Sequence, residues 1–234
     1  MAKENLPRLS TTQISKSDPF YLHYLSLHRD VKNIIKQHAS GKVLDIGCGN
    51  KPYEKDFLGR IEEYIGCDIV QSSLQKVDVI CNAKRIPLPS EEFDTIFCIQ
   101  TIEHIDGHQE VLNEASRLLK KDGKIILSAP FYWPLHEVPD DYFRFTKYGL
   151  AYLLRQSGFT VIDIIENGGS WAVAGQSIIH SLMEDTSRHF ILRMLRFIFF
   201  RLKWIRFHNS LFSWLDKVDF NRNMPMNYLV VAKK

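Results

Sequence analysis

The stretch VLDIGCGN, residues 43–50, decides how the rest of the chain is read. An apolar run ends in an acid and then in two glycines one residue apart. Glycine reaches left-handed backbone conformations without steric cost and lets a ligand come close to the main chain. A strand that runs into such a turn is how open α/β sheets present a ligand site at the carboxyl ends of their strands. Gly47-x-Gly49 by itself is a common turn, so its neighbours must support it. Asp68 ends the next apolar run, about 20 residues on, where a carboxylate hydrogen-bonds ribose hydroxyls. Asn82-Ala83 closes the third run, where an adenine ring can be held. The third glycine of G-x-G-x-x-G is missing, which argues against a pyrophosphate cradle.

Outward from this turn, apolar strand patterns fall at residues 42–47, 63–69, 76–83, 93–100, 124–130, 160–167 and 226–234. Helical patterns fall at 17–39, 107–123 and 147–159, with Ser17 or Asp18 as the first cap, Pro19 in the first turn, and Gly123 closing the second helix. Runs without polar alternation are buried on both faces. Their alternation with helices predicts an α/β fold, a mostly parallel sheet with helices on both faces and a helical insertion before the last strand. The expected division is an arm and cap helix at 1–40, a cofactor-binding domain at 41–166 plus 225–234, and an Arg/aromatic insertion at 167–224.

A chain of 234 residues suits one such domain with an elaboration. The formal net charge of +3 is too small to argue for nucleic acid. Cys48, Cys67, Cys81 and Cys98 show no C-x-x-C spacing and lie in or beside apolar runs, as buried reduced thiols do; a reducing cytoplasm is expected. Residues 1–13 lack the apolar core of a signal peptide, and no uncharged apolar run is long enough to span a bilayer.

VLDIGCGNKPY, YIGCDI, CNAKRIPLPSEEFDTIFCIQTIEHI and LLKKDGKIILSAP resemble, in order and spacing from about Gly41 to Asn167, the successive motifs of class I S-adenosylmethionine-dependent methyltransferases, in the small-molecule, ubiquinone-biosynthesis-like branch. The resemblance implies a Rossmann-like seven-stranded sheet whose last strand is antiparallel and inserted beside the fifth. It implies S-adenosylmethionine as cofactor. Asp45, Gly47, Cys48 and Gly49 would form the turn at its methionine end, Asp68 would take the ribose hydroxyls, and Ile69 would pack on adenine. Asn82 and Ala83 would meet the adenine edge, and Gln100 would stand beside the methyl donor. Family members usually carry Asp where Asn82 stands; Asn still donates and accepts.

Methyl transfer from a sulfonium needs an acceptor held in line and, for a hydroxyl or amine, a base within reach. Three groups follow strand ends on the ligand side. Glu103 and His104 follow the fourth strand and can bind substrate or start the next helix. HEVPDDYFRFT, residues 136–146, follows the fifth. In it His136 is the candidate base, Glu137 its orienter, and Tyr142 and Arg144 candidate holders of a sugar or anion. Asp140, Asp141 and Thr146 can instead cap the next helix. The NGGSW stretch, residues 167–171, follows the sixth strand and reads as a loop. His136-Glu137 with Asp140-Asp141 matches no established chelating spacing, so no metal is expected.

The chain has IQTIEH where base-methylating enzymes of this fold often carry an Asn/Asp-Pro-Pro-aromatic stretch, which counts against nucleic acid. The stretch around residues 136–146 also resembles bacterial methyltransferases found with polysaccharide and lipid-linked sugar synthesis. A small-molecule acceptor, a glycan or lipid-linked saccharide methylated at oxygen, is the leading expectation. A quinone-like lipid, a nucleic acid and a non-catalytic cofactor-binding scaffold are the alternatives. In the insertion, Ile191, Met194, Leu195, Ile198, Leu202 and Ile205 share one helical arc, expected to pack on the domain. Arginines interleaved with Phe197, Phe200, Trp204 and Phe207 suit packing on neighbouring helices, a peripheral contact with the inner face of a membrane, or a protein partner, through residues 190–215. The oligomeric state is not legible.

Overall fold

The computed structural model describes residues 8–183 and 189–234. The first seven residues of the expected arm, and with them half of the stretch judged for a signal peptide, lie outside the described residues, as do residues 184–188 of the insertion. In chain order the elements are α1 (Tyr21–His38), β1 (Lys42–Ile46), α2 (Glu54–Phe57), β2 (Glu63–Asp68), β3 (Val79–Ile80), β4 (Phe93–Ile99), α3 (His108–Leu118), β5 (Leu119–Pro130), α4 (Lys147–Gln156), β6 (Thr160–Asn167), α5 (Ser170–Met183), α6 (Phe190–Arg201), α7 (Trp204–Val218) and β7 (Asn227–Lys233). The seven strands form one sheet in the order β3-β2-β1-β4-β5-β7-β6. β1 to β5 pair in parallel, and β7 pairs antiparallel with both β5 and β6. This is the Rossmann-like arrangement expected, with the last strand inserted beside the fifth.

Alternate residues of the central strands face opposite layers. Leu44, Ile46, Ile125 and Leu127 pack under Leu112, Leu118, Leu150 and Leu154 of α3 and α4. Val43, Phe97, Ile126 and Leu229 pack under Leu27, Val31, Ile34 and Ile35 of α1. Burial on both faces explains why these runs carry no polar alternation.

Four expectations are corrected. α1 starts at Tyr21, with Phe20 at its cap and no side-chain cap bond; Asp18 instead accepts from the Phe20 amide at 2.7 Å, one turn early. The third strand shrinks from 76–83 to two residues. Side-chain bonds supplement the pairing before it: Gln71 bonds both the amide and the carbonyl of Val77, and Asp78 accepts from the Gly66 amide at 2.7 Å while its own amide donates to the Gly66 carbonyl at 2.9 Å. α3 ends at Leu118 rather than at Gly123, because Leu119 is buried and already pairs with Phe93. The register shifts before Thr95 pairs with Lys124, so Gly123 sits in the irregular start of β5 and caps no helix.

The fourth correction concerns the insertion. The arc drawn from Ile191 to Ile205 spans two helices, broken where Lys203 takes a left-handed conformation at φ 62°. No residue of α6 is buried, and Ile191, Met194, Leu195 and Leu202 are exposed. Only Ile205, on α7, packs inside. α6 folds back onto α7, with the rings of Phe199 and His208 5.2 Å apart, rather than onto the sheet. α5 and α7 are the docked part. Asp216 of α7 accepts from the Gly169 and Ala172 amides at the start of α5. The NGGSW stretch therefore serves a helix start capped from another helix.

Candidate active site

The site forms at the carboxyl ends of β1, β2, β4 and β5. The Gly47 and Cys48 amides both donate to the Cys67 carbonyl, at 2.9 and 3.1 Å, which folds the turn after β1 back over β2. A Cβ on Gly47, whose φ is +76°, would sit 2.3 Å from Thr101 Cγ2. Only glycine fits there. Asp45 lies buried behind the turn and accepts from the Tyr64 hydroxyl at 2.5 Å. Burial pushes its carboxyl up to about 7, against the pull of that hydrogen bond.

A cavity of about 310 Å³ opens beside the turn. Gly47, Asp68, Ile69, Asn82, Ala83 and Gln100, six of the residues the resemblance assigns to the cofactor, line it. Cys48 and Gly49 line a neighbouring lobe instead, and Asp45 lines neither. Asp68 accepts from the Gly49 amide at 3.0 Å and the Ile69 amide at 2.7 Å. Its Oδ2 also takes a 2.6 Å hydrogen bond from Arg8. Gln100 is left-handed at φ 51° and donates from Nε2 to Ser128 at 3.0 Å. A non-glycine residue held there stores strain of the sort that clusters at active sites.

The second lobe, about 200 Å³, shares Arg8, Gly47, Gln100, His104 and Glu137 with the first. Its other walls are His23 and Tyr24 of α1, Tyr53, Trp133 and His136. His23 packs against Trp133 with ring centroids 4.2 Å apart. Burial, with His28 nearby, lowers its pKa to about 3, so this wall is uncharged at neutral pH.

The 136–146 stretch forms the wall between the two lobes. His136 Nδ1 lies 3.3 Å from Asp141, and burial, with His104 beside it, lowers its pKa. Glu137, left-handed at φ 51°, lines both lobes, and Tyr142 lines the first, donating to Asp140 at 3.0 Å. Arg144 is placed differently from expectation. Its guanidinium forks onto Asp141 at 2.7 and 2.8 Å and donates to the Trp133 and Pro134 carbonyls at 2.9 Å each. Every arm of the fork is used in closing the loop, and Arg144 lines neither lobe. Burial opposes the Asp141 charge, but Arg144 and the His136 amide prevail and hold its carboxyl at about 2. Thr146 caps α4 by accepting from the Gly149 amide, as expected.

Glu103 and His104 form a single 3-10 turn, Ile102–His104, after β4. The Glu103 carbonyl accepts from the Tyr142 and Phe143 amides. Its side chain is fully buried, and neither carboxylate oxygen has a partner among the described residues. Burial raises its pKa to about 8. His104 lines both lobes and bonds through Nδ1 to the Asp140 carbonyl at 2.9 Å. Sequence reasoning missed Arg8, His23, Tyr24, Lys84 and Trp133. Trp133 lies three residues before His136 and was within reach of that motif, whereas His23 and Tyr24 read as core of α1 and nothing local marks Arg8 or Lys84.

Residues 44–127 match the family described as "Methyltransferase domain". The chain is 30% identical over 117 residues to YcgJ of Bacillus subtilis, described as a methyltransferase, covering 44% of this chain and 46% of that one. It is 25% identical over 141 residues to the ubiquinone biosynthesis O-methyltransferase of Acinetobacter baylyi, covering 53% and 57%. It thus spans about half the length of the curated relatives it matches. A solved S-adenosylmethionine-dependent methyltransferase from Archaeoglobus fulgidus superposes with a TM-score of 0.51 at 20% identity, over 93% of this chain and all of that one. Residues 44–127 thus match a methyltransferase domain, and the chain shares its fold with a solved S-adenosylmethionine-dependent methyltransferase. The family and the fold imply S-adenosylmethionine as cofactor, and the glycine cradle, the acidic strand end of β2 and the first lobe fit it.

Proposed function

We propose that the chain transfers a methyl group to a hydroxyl of a small acceptor, a glycan or lipid-linked saccharide. The reading rests on one observation above all: two lobes of separate lining meet at Gly47, Gln100, His104 and Glu137. The first is built for a nucleoside. The second is walled by uncharged aromatics, against which a sugar ring stacks through its apolar face. Bound S-adenosylmethionine supplies a methyl on a sulfonium. The chain's own contribution is to hold the acceptor in line, worth roughly 7–11 kcal/mol in well-oriented systems. It must also remove one proton. His136 is the neutral group at the wall between the lobes, and Asp141 beside Nδ1 fixes its ring so that Nε2 can accept. Exposed apolar and basic residues on α6 support a lipid-linked acceptor met at the inner face of a membrane; among the described residues no helix is long and apolar enough to cross one. The likeness to ubiquinone biosynthesis O-methyltransferases favours a second reading, a phenol of quinone type in the same lobe.

The test is incubation with methyl-labelled cofactor and oligosaccharide, lipid-linked saccharide, phenol and RNA acceptors. Label is expected on a saccharide oxygen. His136→Ala is expected to lower turnover by about 100-fold, the lower end for general base loss, with cofactor affinity kept. Label only on a nucleic-acid base, or cofactor binding without transfer to any acceptor, would sink the proposal.

A further inference from the structure

We infer that Glu103, His104 and His136 form a divalent-metal site at the junction of the two lobes. Each offers one ligand atom, and these atoms all lie within 4.8 Å of one another. His104 Nε2 is 3.9 Å from Glu103 Oε1. Ligand atoms about 2.1 Å from one ion lie roughly 3–4 Å apart, so small side-chain rotations close the set. The residues come from two strand ends, after β4 and after β5, and the loop between β5 and α4 holds them together.

The second observation is the state of Glu103. A carboxyl group with no accessible surface and no hydrogen-bond partner at either oxygen among the described residues is costly to ionise, and folds avoid it unless the group is paired or coordinates a metal. Among the described residues no lysine or arginine lies within ion-pairing distance of it, and Arg144 is consumed by Asp141. What its neighbours offer is imidazole.

The imidazoles are already arranged as metal ligands usually are. His104 Nδ1 bonds the Asp140 carbonyl at 2.9 Å, and His136 Nδ1 lies 3.3 Å from the Asp141 carboxylate. Metal-bound histidines commonly donate their other ring nitrogen to a carbonyl or carboxylate in this way, which sets the tautomer and leaves Nε2 for the ion. Asp141 is in turn locked by the Arg144 fork, which gives the loop chemistry a purpose that substrate binding did not.

Two imidazoles and one carboxylate suit Mn²⁺, Fe²⁺, Co²⁺ or Zn²⁺ better than Mg²⁺ or Ca²⁺, which prefer all-oxygen shells. Three protein ligands leave coordination positions open. Because His104 lines both lobes and His136 the second, those positions meet the acceptor wall. Two neighbouring oxygens, a vicinal diol of a sugar or an ortho-diphenol, are the ligand that fits. That last step rests on the methyltransferase reading, whereas the ion site does not. With an ion bound, His136 would serve as a ligand; the ion would lower the pKa of the acceptor hydroxyl, and Glu137, which lines both lobes, would take the proton.

The test is titration of the chelator-treated full chain with Co²⁺, read by its visible absorption, with S-adenosylmethionine affinity measured in parallel. One Co²⁺ per chain is expected. Glu103→Gln and His136→Ala should each weaken Co²⁺ at least tenfold while leaving cofactor affinity within twofold. Co²⁺ should raise the melting temperature of the wild type and leave that of Glu103→Gln unchanged. No Co²⁺ uptake by wild type, equal uptake by the variants, or equal stabilisation of Glu103→Gln by Co²⁺ would overturn the site. Loss of S-adenosylmethionine binding by wild type would instead overturn the methyltransferase reading and leave the metal result standing.

Discussion

Arg8 shows how a single side chain can set cofactor affinity. A carboxylate offers about four acceptor positions. Asp68 has three filled, by Arg8 and the Gly49 amide on Oδ2 and by the Ile69 amide on Oδ1. A ribose diol that uses both oxygens therefore needs Arg8 to leave Oδ2. Arg8→Ala is expected to bind S-adenosylmethionine about fivefold tighter, equivalent to ~1 kcal/mol, by calorimetry; weaker binding would show that Arg8 closes over the cofactor instead. The residues on either side of this pair were not equally legible. Asp68 follows a strand and could be placed from its spacing alone. Arg8 lies 60 positions away, outside any element, and nothing local points it at Asp68. Arg144 was visible but misassigned, because a guanidinium that binds a ligand and one that closes a loop have the same sequence signature.

The α6 helix raises a question of what its apolar side meets. Phe190, Ile191 and Phe197 are more than half exposed, at 77%, 65% and 59%, and Arg193, Arg196 and Arg201 share the helix with them. Apolar side chains beside arginines bind anionic bilayers through burial and charge together. Flotation with vesicles containing phosphatidylserine is expected to carry the protein up at low salt. Ile191→Glu combined with Phe197→Glu should leave it at the bottom while the melting temperature holds, since neither residue packs inside; failure of the wild type to float at low salt would refute a membrane role. The arc read from the sequence put Ile191 on the side expected to pack on the domain and Phe197 among the arginines, because periodicity reports amphipathicity and neither the break at Lys203 nor what lies opposite. Elsewhere, elements with long buried runs were legible. The extent of β3 was not, since the chain before it is held by Gln71 and Asp78 side-chain bonds beside its backbone pairing, and neither was the end of α3, where strand pairing at Leu119 outcompeted the glycine four residues later.

At the scale of the molecule, buried ionisable groups set how stability follows pH. His23, His28 and His180 are held near 3, 4 and 4 by burial first. Below the ordinary histidine value of 6.5 the unfolded chain takes up protons that the folded one refuses, so these groups make stability rise with pH up to about 6.5. Asp45 and Glu103 work the other way. Their folded values are raised by burial to about 7 and about 8, so above the ordinary carboxyl range the folded state holds protons that the unfolded chain has released. Stability from them falls as pH climbs from about 4 to about 8. Three histidines outweigh two carboxyls on the acid side, and above about pH 6.5 these histidines no longer act while the carboxyls still do. Metal-free protein without cofactor is expected to melt highest at about pH 6.5, by scanning calorimetry with a chelator present. A melting temperature that climbs steadily to pH 8 would mean that Asp45 and Glu103 are charged in the fold.

The position of β7 also orders events in time. β6 touches the sheet only through β7, yet residues 160–167 are synthesised well before residues 227–233. While the ribosome makes α5, α6 and α7, β5 shows an unpaired edge and β6 has no strand to join. The sheet closes late, by a strand that zips into a gap with neighbours on both sides at once, and that step waits on non-local pairing, which is slow. A chain stalled before residue 227 would carry two open apolar edges of the kind that pair with other molecules, so this protein depends on its final strand to stay out of aggregates as much as to finish its fold.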